Sequence, residues 1–85
     1  MKCVILALDG CPLTSVSGPM EILTLANTLV TPEHRLDITI AAASHQPIQC
    51  LGGMSIMPQS SIQDIDQCDL VIIGAIGHPD HSPLD

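Results

Sequence analysis

The chain reads as α/β, the opening part of a doubly wound, mostly parallel sheet, and three observations predict this. Two short, continuous apolar runs, at 3–8 and 69–73, have the length and flanks of strands buried on both faces. Between the first run and an alternating segment at 36–43 lies a stretch with helical spacing, so the opening order is strand, helix, strand. A Gly-Gly pair at 52–53 stands between short apolar segments and marks a small β-hairpin.

Each element can be justified in turn. Asp9-Gly10 and Pro12 bound the first strand. Residues 15–30 place Val16, Met20, Leu23, Ala26 and Val30 on one stripe, and Ile22, Leu25 and Leu29 are expected to widen it. Ser15 or Ser17 is expected to cap this helix, which puts Pro19 in the first turn, where proline is tolerated. Thr31-Pro32 ends it. At 36–43, Leu36, Ile38, Ile40 and Ala42 alternate with Asp37, Thr39 and Ala41, so the second strand is expected to be more exposed on one side than the first. The hairpin pairs 48–51 with 54–57 through a two-residue glycine link that supplies positive φ angles. Ser60-Ser61 can cap a short turn of helix carrying Ile62 and Ile65. The strand at 69–73 runs into Gly74, and the tail 75–85 shows no period.

Doubly wound sheets usually have about five strands or more with helices on both faces. Only one long helix is present, and a buried strand at 69–73 needs cover that these residues do not supply. Residues 1–85 are therefore expected to be the N-terminal portion of a truncated α/β domain.

Composition excludes several classes of function. The chain is 46% apolar yet has no Phe, Tyr or Trp, so no ring is available to stack a base, as RNA- and single-strand-binding modules require. Two basic residues, Lys2 and Arg35, against nine acidic ones give a net charge of −7, which excludes phosphate-backbone binding and an anionic membrane surface. Lys2 and the apolar run after it could open a signal peptide, but Asp9 stops the run short and no small-residue cleavage site follows. A cytoplasmic location is expected. The four cysteines (Cys3, Cys11, Cys50, Cys68) contain no C-x-x-C spacing, and reduced, buried thiols are the expected state.

Four groups of residues could carry chemistry. Ser-Gly-Pro-Met-Glu at 17–21 is expected to put Glu21 in the first helical turn, near the carboxyl end of the first strand. There it would either meet a ligand or complement the helix dipole. Gly74 would let backbone N–H groups approach a reacting oxygen, or would simply make a turn. His78-Pro79-Asp80-His81 has metal-ligating side chains, but the proline bars a helical presentation and no third ligand is evident, so a solvated loop and no metal are expected. Cys11 follows the first strand, but Asp9 would raise its pKa and no histidine is placed to act as its base, so no catalytic residue is assigned. Neither a Gly-x-Ser-x-Gly elbow nor a phosphate-cradling Gly-x-Gly-x-x-Gly occurs, and no cofactor is expected.

Three segments together resemble a known family: Val4-Ile5-Leu6-Ala7-Leu8-Asp9-Gly10, then Ser15-Val16-Ser17-Gly18-Pro19-Met20-Glu21-Ile22-Leu23 with Ala26-Asn27, then Cys68-Asp69-Leu70-Val71-Ile72-Ile73-Gly74. They are similar to the amino-terminal unit of the ThiJ/PfpI superfamily, the class I glutamine amidotransferase-like fold with its flavodoxin-like sheet. The Gly-Pro-x-Glu piece with its trailing Ala-Asn is most like the branch found in AraC-type transcriptional regulators. The resemblance covers residues 3–77 and about half of the family's domain. It implies a sensing or dimerising role, an unidentified small-molecule ligand, a homo-oligomer, and DNA contact only through a carboxy-terminal helix-turn-helix part outside these residues.

The resemblance also implies which positions line the ligand edge: Ser15, Glu21, Gly74 and Ala75. Enzymatic members carry a carboxylate four residues before the proline, hydrogen-bonded to a nucleophilic cysteine further along the chain; here that position is Ser15. Where the family often has a proline before the paired glycine positions, this chain has Ile73. A neutral serine cannot do a carboxylate's work on a thiolate, so a non-catalytic module is expected. The alternative is a fragment of a stand-alone hydrolase, hydratase or glyoxalase-like enzyme whose cysteine lies beyond residue 85.

Overall fold

β1 (Lys2–Leu6) is the central strand about which a computed structural model of the chain, describing residues 1–74, is organised. The chain leaves it through α1 (Thr14–Asn27) and returns as β2 (Asp37–Ala42), parallel to β1 with Ile5 opposite Ile40. A hairpin of β3 (Ile48–Gln49) and β4 (Ser55–Ile56) follows, then β5 (Ser60–Ser61), which pairs parallel to the end of β2. β6 (Leu70–Ile73) crosses back and pairs parallel on the other side of β1, with Ile5 opposite Ile72. The sheet order is β5-β2-β1-β6. This is the mostly parallel, partial flavodoxin-like α/β arrangement that the element order predicts.

The core lies where α1 and the hairpin cover one face of the sheet. Ile5, Ala7, Cys11, Val16, Ala42, Ile48 and Cys50 form one buried cluster, with Ile40 and Ile72 packed against it from either side of Ile5. Cys3, Val4 and Ile5 are all buried, as expected of a strand covered on both faces. β2 differs from its expected alternation. Its burial rises along the strand instead, from exposed Asp37 through half-buried Ile38, Thr39 and Ile40 to wholly buried Ala41 and Ala42.

Other expectations need correction. α1 starts at Thr14 with no side-chain cap, and the Ser15 hydroxyl donates to the Pro12 carbonyl (2.7 Å) rather than capping the helix. Pro19 consequently lies beyond the first turn, where it has no N–H for the helical ladder. The helix stops at Asn27, because Thr28 folds its hydroxyl back onto the Leu25 carbonyl (2.6 Å). Ile22, Leu25 and Leu29 do not widen the buried stripe; they stand 67%, 65% and 85% exposed on the outer side. β6 is likewise less covered than its sequence suggests, with Leu70, Val71 and Ile73 exposed on an edge strand.

The hairpin forms, but through three residues, Leu51–Gly53, closed by Cys50 N–H donating to the Met54 carbonyl (2.7 Å). Gly52 and Gly53 take φ of 78° and 81°, the positive values their pairing predicts. Ser61 does act as a cap, accepting the Gln63 N–H (3.3 Å) at the 3-10 turn Ile62–Asp64. Among the described residues no helix is long and apolar enough to cross a membrane.

Asn27, which sequence reasoning noted only as part of a motif, ties α1 to β2. Its amide oxygen accepts the Leu36 N–H (2.7 Å) and its amide nitrogen donates to the Leu36 carbonyl (2.9 Å). Arg35 Nε donates to the Asn27 carbonyl (3.2 Å), placing a cation at the helix's negative end. Replacing Asn27 by Ala leaves both Leu36 groups without their partner, and a loss of about 2 kcal/mol is expected in urea denaturation. Asn27→Asp should recover little, since a carboxylate cannot donate to the Leu36 carbonyl.

Candidate functional site

The direction of chain progression across the sheet reverses at β1: β2 and β5 lie to one side and β6 to the other. In open α/β sheets the crevice outside the carboxyl ends of the strands at such a reversal is where ligands bind. Here that place is the junction of the ends of β1 and β6 with the start of α1. It is built by backbone hydrogen bonds. Gly74 N–H donates to the Leu6 carbonyl (2.9 Å), while the N–H groups of Val16 and Ser17 turn back to the Leu13 carbonyl (3.1 and 2.9 Å) and close the first helical turn beside it.

This junction brings two of the residues predicted from sequence together. Gly74 is buried, and a Cβ placed on it would lie 3.2 Å from the Leu6 carbonyl oxygen, 3.2 Å from Val16 Cγ2 and 3.3 Å from Ser15 Oγ. The glycine is therefore favoured by close approach, not by its φ. Its own N–H is already given to Leu6, so an oxyanion at this place would have to take its hydrogen bonds from other donors. Ser15 is half-buried, with its hydroxyl hydrogen committed to Pro12 and its oxygen close beside Gly74. A hydroxyl in this state can accept a hydrogen bond from a ligand but carries no charge.

Glu21 does not join them. It stands two turns into α1 and is exposed, and the first turn of the helix contains no acidic residue, so it neither reaches the junction nor complements the dipole. Ala75 lies outside the described residues, as do His78, Asp80 and His81. Among the described residues no three His, Cys, Asp or Glu side chains gather in a way that could hold a metal. An open cleft of about 370 Å³, lined by Lys2, Gln67, Cys68 and Asp69, lies at the opposite end of the strands. Position in the fold favours the carboxyl edge over this cleft.

Sequence reasoning missed what closes the same edge over β1. Gly10, at φ 83°, turns its N–H to the Gln49 carbonyl (2.6 Å), and the Gln49 N–H donates to Asp9 Oδ1 (3.2 Å). Leu51 N–H donates to the Cys11 carbonyl (2.9 Å). The hairpin is thereby fastened to the segment leaving β1. The Asp-Gly pair after the first strand is the available signal, though in sequence it marks only a strand end. Cys11 and Cys50 are buried here, in keeping with the expected thiols, whereas Cys68 is exposed. Burial pushes the Cys50 thiol above its usual range, and the neighbouring Cys11 and Asp9 push it further; burial and then Cys68 do the same to Cys3.

No protein-family model matches the chain, and no curated protein sequence does. Solved structures do. A protein of Vibrio parahaemolyticus described as a transcriptional regulator matches 96% of this chain at 28% identity with a TM-score of 0.77. An AraC family transcriptional regulator from Pseudomonas putida matches 99% of it at 18% identity and a TM-score of 0.75. A DJ-1 superfamily protein from Agrobacterium tumefaciens matches 88% at 17% identity and 0.61. The match takes in 42%, 50% and 37% of those chains respectively, so this chain spans half of their length or less. The resemblance to a ThiJ/PfpI-like domain of the kind found in AraC-type regulators is borne out at the level of fold.

Proposed function

We propose that residues 1–85 are the N-terminal portion of a ThiJ/PfpI-like domain of an AraC-type transcriptional regulator, a cytoplasmic, non-catalytic module that senses a small molecule and dimerises. The observation that carries this is the 28% identity over 96% of the chain to a protein described as a transcriptional regulator. Ser15 supports the non-catalytic part: its hydroxyl is held by Pro12 where enzymes of the resembling family have a charged carboxylate. In this reading the ligand sits at the junction of Ser15 and Gly74. The net charge of −7 leaves DNA contact to a separate basic part of a longer chain.

Reading the coding frame beyond codon 85 tests the proposal. The expected result is the rest of an α/β domain followed by two helix-turn-helix units. A cysteine elbow followed by histidine, with turnover abolished by mutating that cysteine, would replace the regulator with an enzyme.

Self-association has its own support. Ile22 and Leu25 share an outer face of α1 and Leu29 follows in the turn just beyond it, so burying them against a second copy would remove three large side chains from water. Light scattering at micromolar concentration is expected to give a dimer that Leu25→Glu converts to monomer with unchanged circular dichroism. A wild-type monomer would remove dimerisation from the proposal.

A further inference from the structure

Cys11 and Cys50 come from distant parts of the chain yet stand abreast. Gly10 N–H to the Gln49 carbonyl (2.6 Å) and Leu51 N–H to the Cys11 carbonyl (2.9 Å) bracket the two residues and hold their backbones side by side. Cys11 is wholly buried, Cys50 is 7% exposed, both belong to one apolar cluster, and both are free thiols. A cluster of aliphatic side chains needs only small apolar groups at such positions. Two thiols placed together are what an inducible disulfide requires, and in reducing compartments such bridges are transient and redox-sensing. We propose that Cys11 and Cys50 are a redox pair, oxidised by a small hydroperoxide to an intramolecular disulfide that fastens the β3–β4 hairpin to the segment leaving β1.

The step balances without a further reagent. The Cys50 sulfur attacks one peroxide oxygen, the S–O bond forms as the O–O bond breaks, and with hydrogen peroxide the other oxygen leaves as water with the thiol proton. The Cys11 sulfur then displaces the remaining hydroxyl, forming the S–S bond and releasing a second water. Both sulfurs are oxidised by one electron each and the peroxide is reduced by two. Burial keeps both sulfurs out of reach of solvent, so the reaction passes through local opening of the hairpin, whose strands are two residues each. Once formed, the bridge holds that hairpin at the same carboxyl edge as Ser15 and Gly74 and sets the site in one of two states. The proposal stands apart from the regulator reading and survives its failure.

The test is to treat the full chain with hydrogen peroxide under native conditions, alkylate the remaining thiols, and weigh the product. The expected species has lost two hydrogens, keeps two of its four cysteines alkylatable, yields a peptide joining residue 11 to residue 50, and melts at least about 5 °C higher. Added dithiothreitol should reverse the shift. Cys68→Ser should preserve the bridge, while Cys11→Ala and Cys50→Ala should each abolish it. Where an alanine variant fails to fold, the peptide map of the oxidised wild type decides alone. A Cys3–Cys68 bridge, oxidation confined to Cys68, or an 11–50 bridge that forms only in denaturant would overturn the proposal.

Discussion

Gly74→Val is expected to destabilise the chain by about 2–3 kcal/mol, more than the same substitution at any other glycine among the described residues. Its Cβ would sit 3.2 Å from the Leu6 carbonyl oxygen and 3.2 Å from Val16 Cγ2. The oxygen cannot retreat, since it accepts the Gly74 N–H (2.9 Å), and Val16 is wholly buried. Accommodation therefore means separating the end of β6 from β1 or lifting α1 off the sheet. Gly74→Ala should cost less, yet still reverse the gain that replacing an ordinary strand glycine gives by reducing unfolded-state freedom. Gly10→Ala isolates the other way a glycine can matter: it has φ 83° with nothing within 4 Å of the added Cβ, so backbone strain of about 1 kcal/mol is its whole expected penalty. Urea titration followed by circular dichroism ranks the three. A Gly74→Val protein as stable as wild type would mean that the β1–β6–α1 junction is looser than described. Fluorescence is no substitute, because the chain has no tryptophan or tyrosine.

Ile5→Ala is the second large effect, expected at about 3–4 kcal/mol. Ile5 is wholly inaccessible and lies at the centre of the sheet, between Ile40 on one neighbouring strand and Ile72 on the other. Truncation removes three carbons at a place that cannot collapse, since backbone pairing on both sides holds the walls apart. A domain of this length has a total stability of roughly 4–13 kcal/mol, so the loss takes a quarter or more of it. Ile5→Val, which removes one carbon, should cost about 1 kcal/mol. Both should shift the urea midpoint without changing the slope. Losses below 1 kcal/mol for the alanine variant would show that Ile5 is not the centre of the core.

Most of the fold was legible because its signals are local. The apolar runs at 3–8 and 69–73, the helical period between the first two strands and the Gly-Gly hairpin each declare themselves within a few residues, and all four formed. The errors have local causes of another kind. The outer face of α1 and the turn after it are apolar enough to pass for core, and period alone cannot say that Ile22, Leu25 and Leu29 have no layer above them, nor that the helix stops before Leu29. Ser15 and Ser17 look like caps and so put Glu21 in the first turn, whereas the helix begins at Thr14 without one. The site was legible only as separate residues. That Ser15 meets Gly74 depends on β6 taking the free side of β1, a choice of strand order that no spacing encodes. The Cys11–Cys50 neighbourhood is hidden for the same reason, because it follows from how the hairpin folds back over Asp9 and Gly10.

The central position of β1 has a consequence for how the chain is born. β1 is made before both strands that pair with it, and Lys2 is separated by 67 residues from Asp69, to which its N–H donates. At a synthesis rate of about 5–20 residues per second, the ribosome needs roughly 3–13 s to deliver the last of those partners. Throughout that time an apolar strand destined for burial on both faces waits without its second neighbour, a topology that folds slowly and exposes sticky surface meanwhile. Nascent β1 is thus the segment of this protein that most needs a chaperone's shelter.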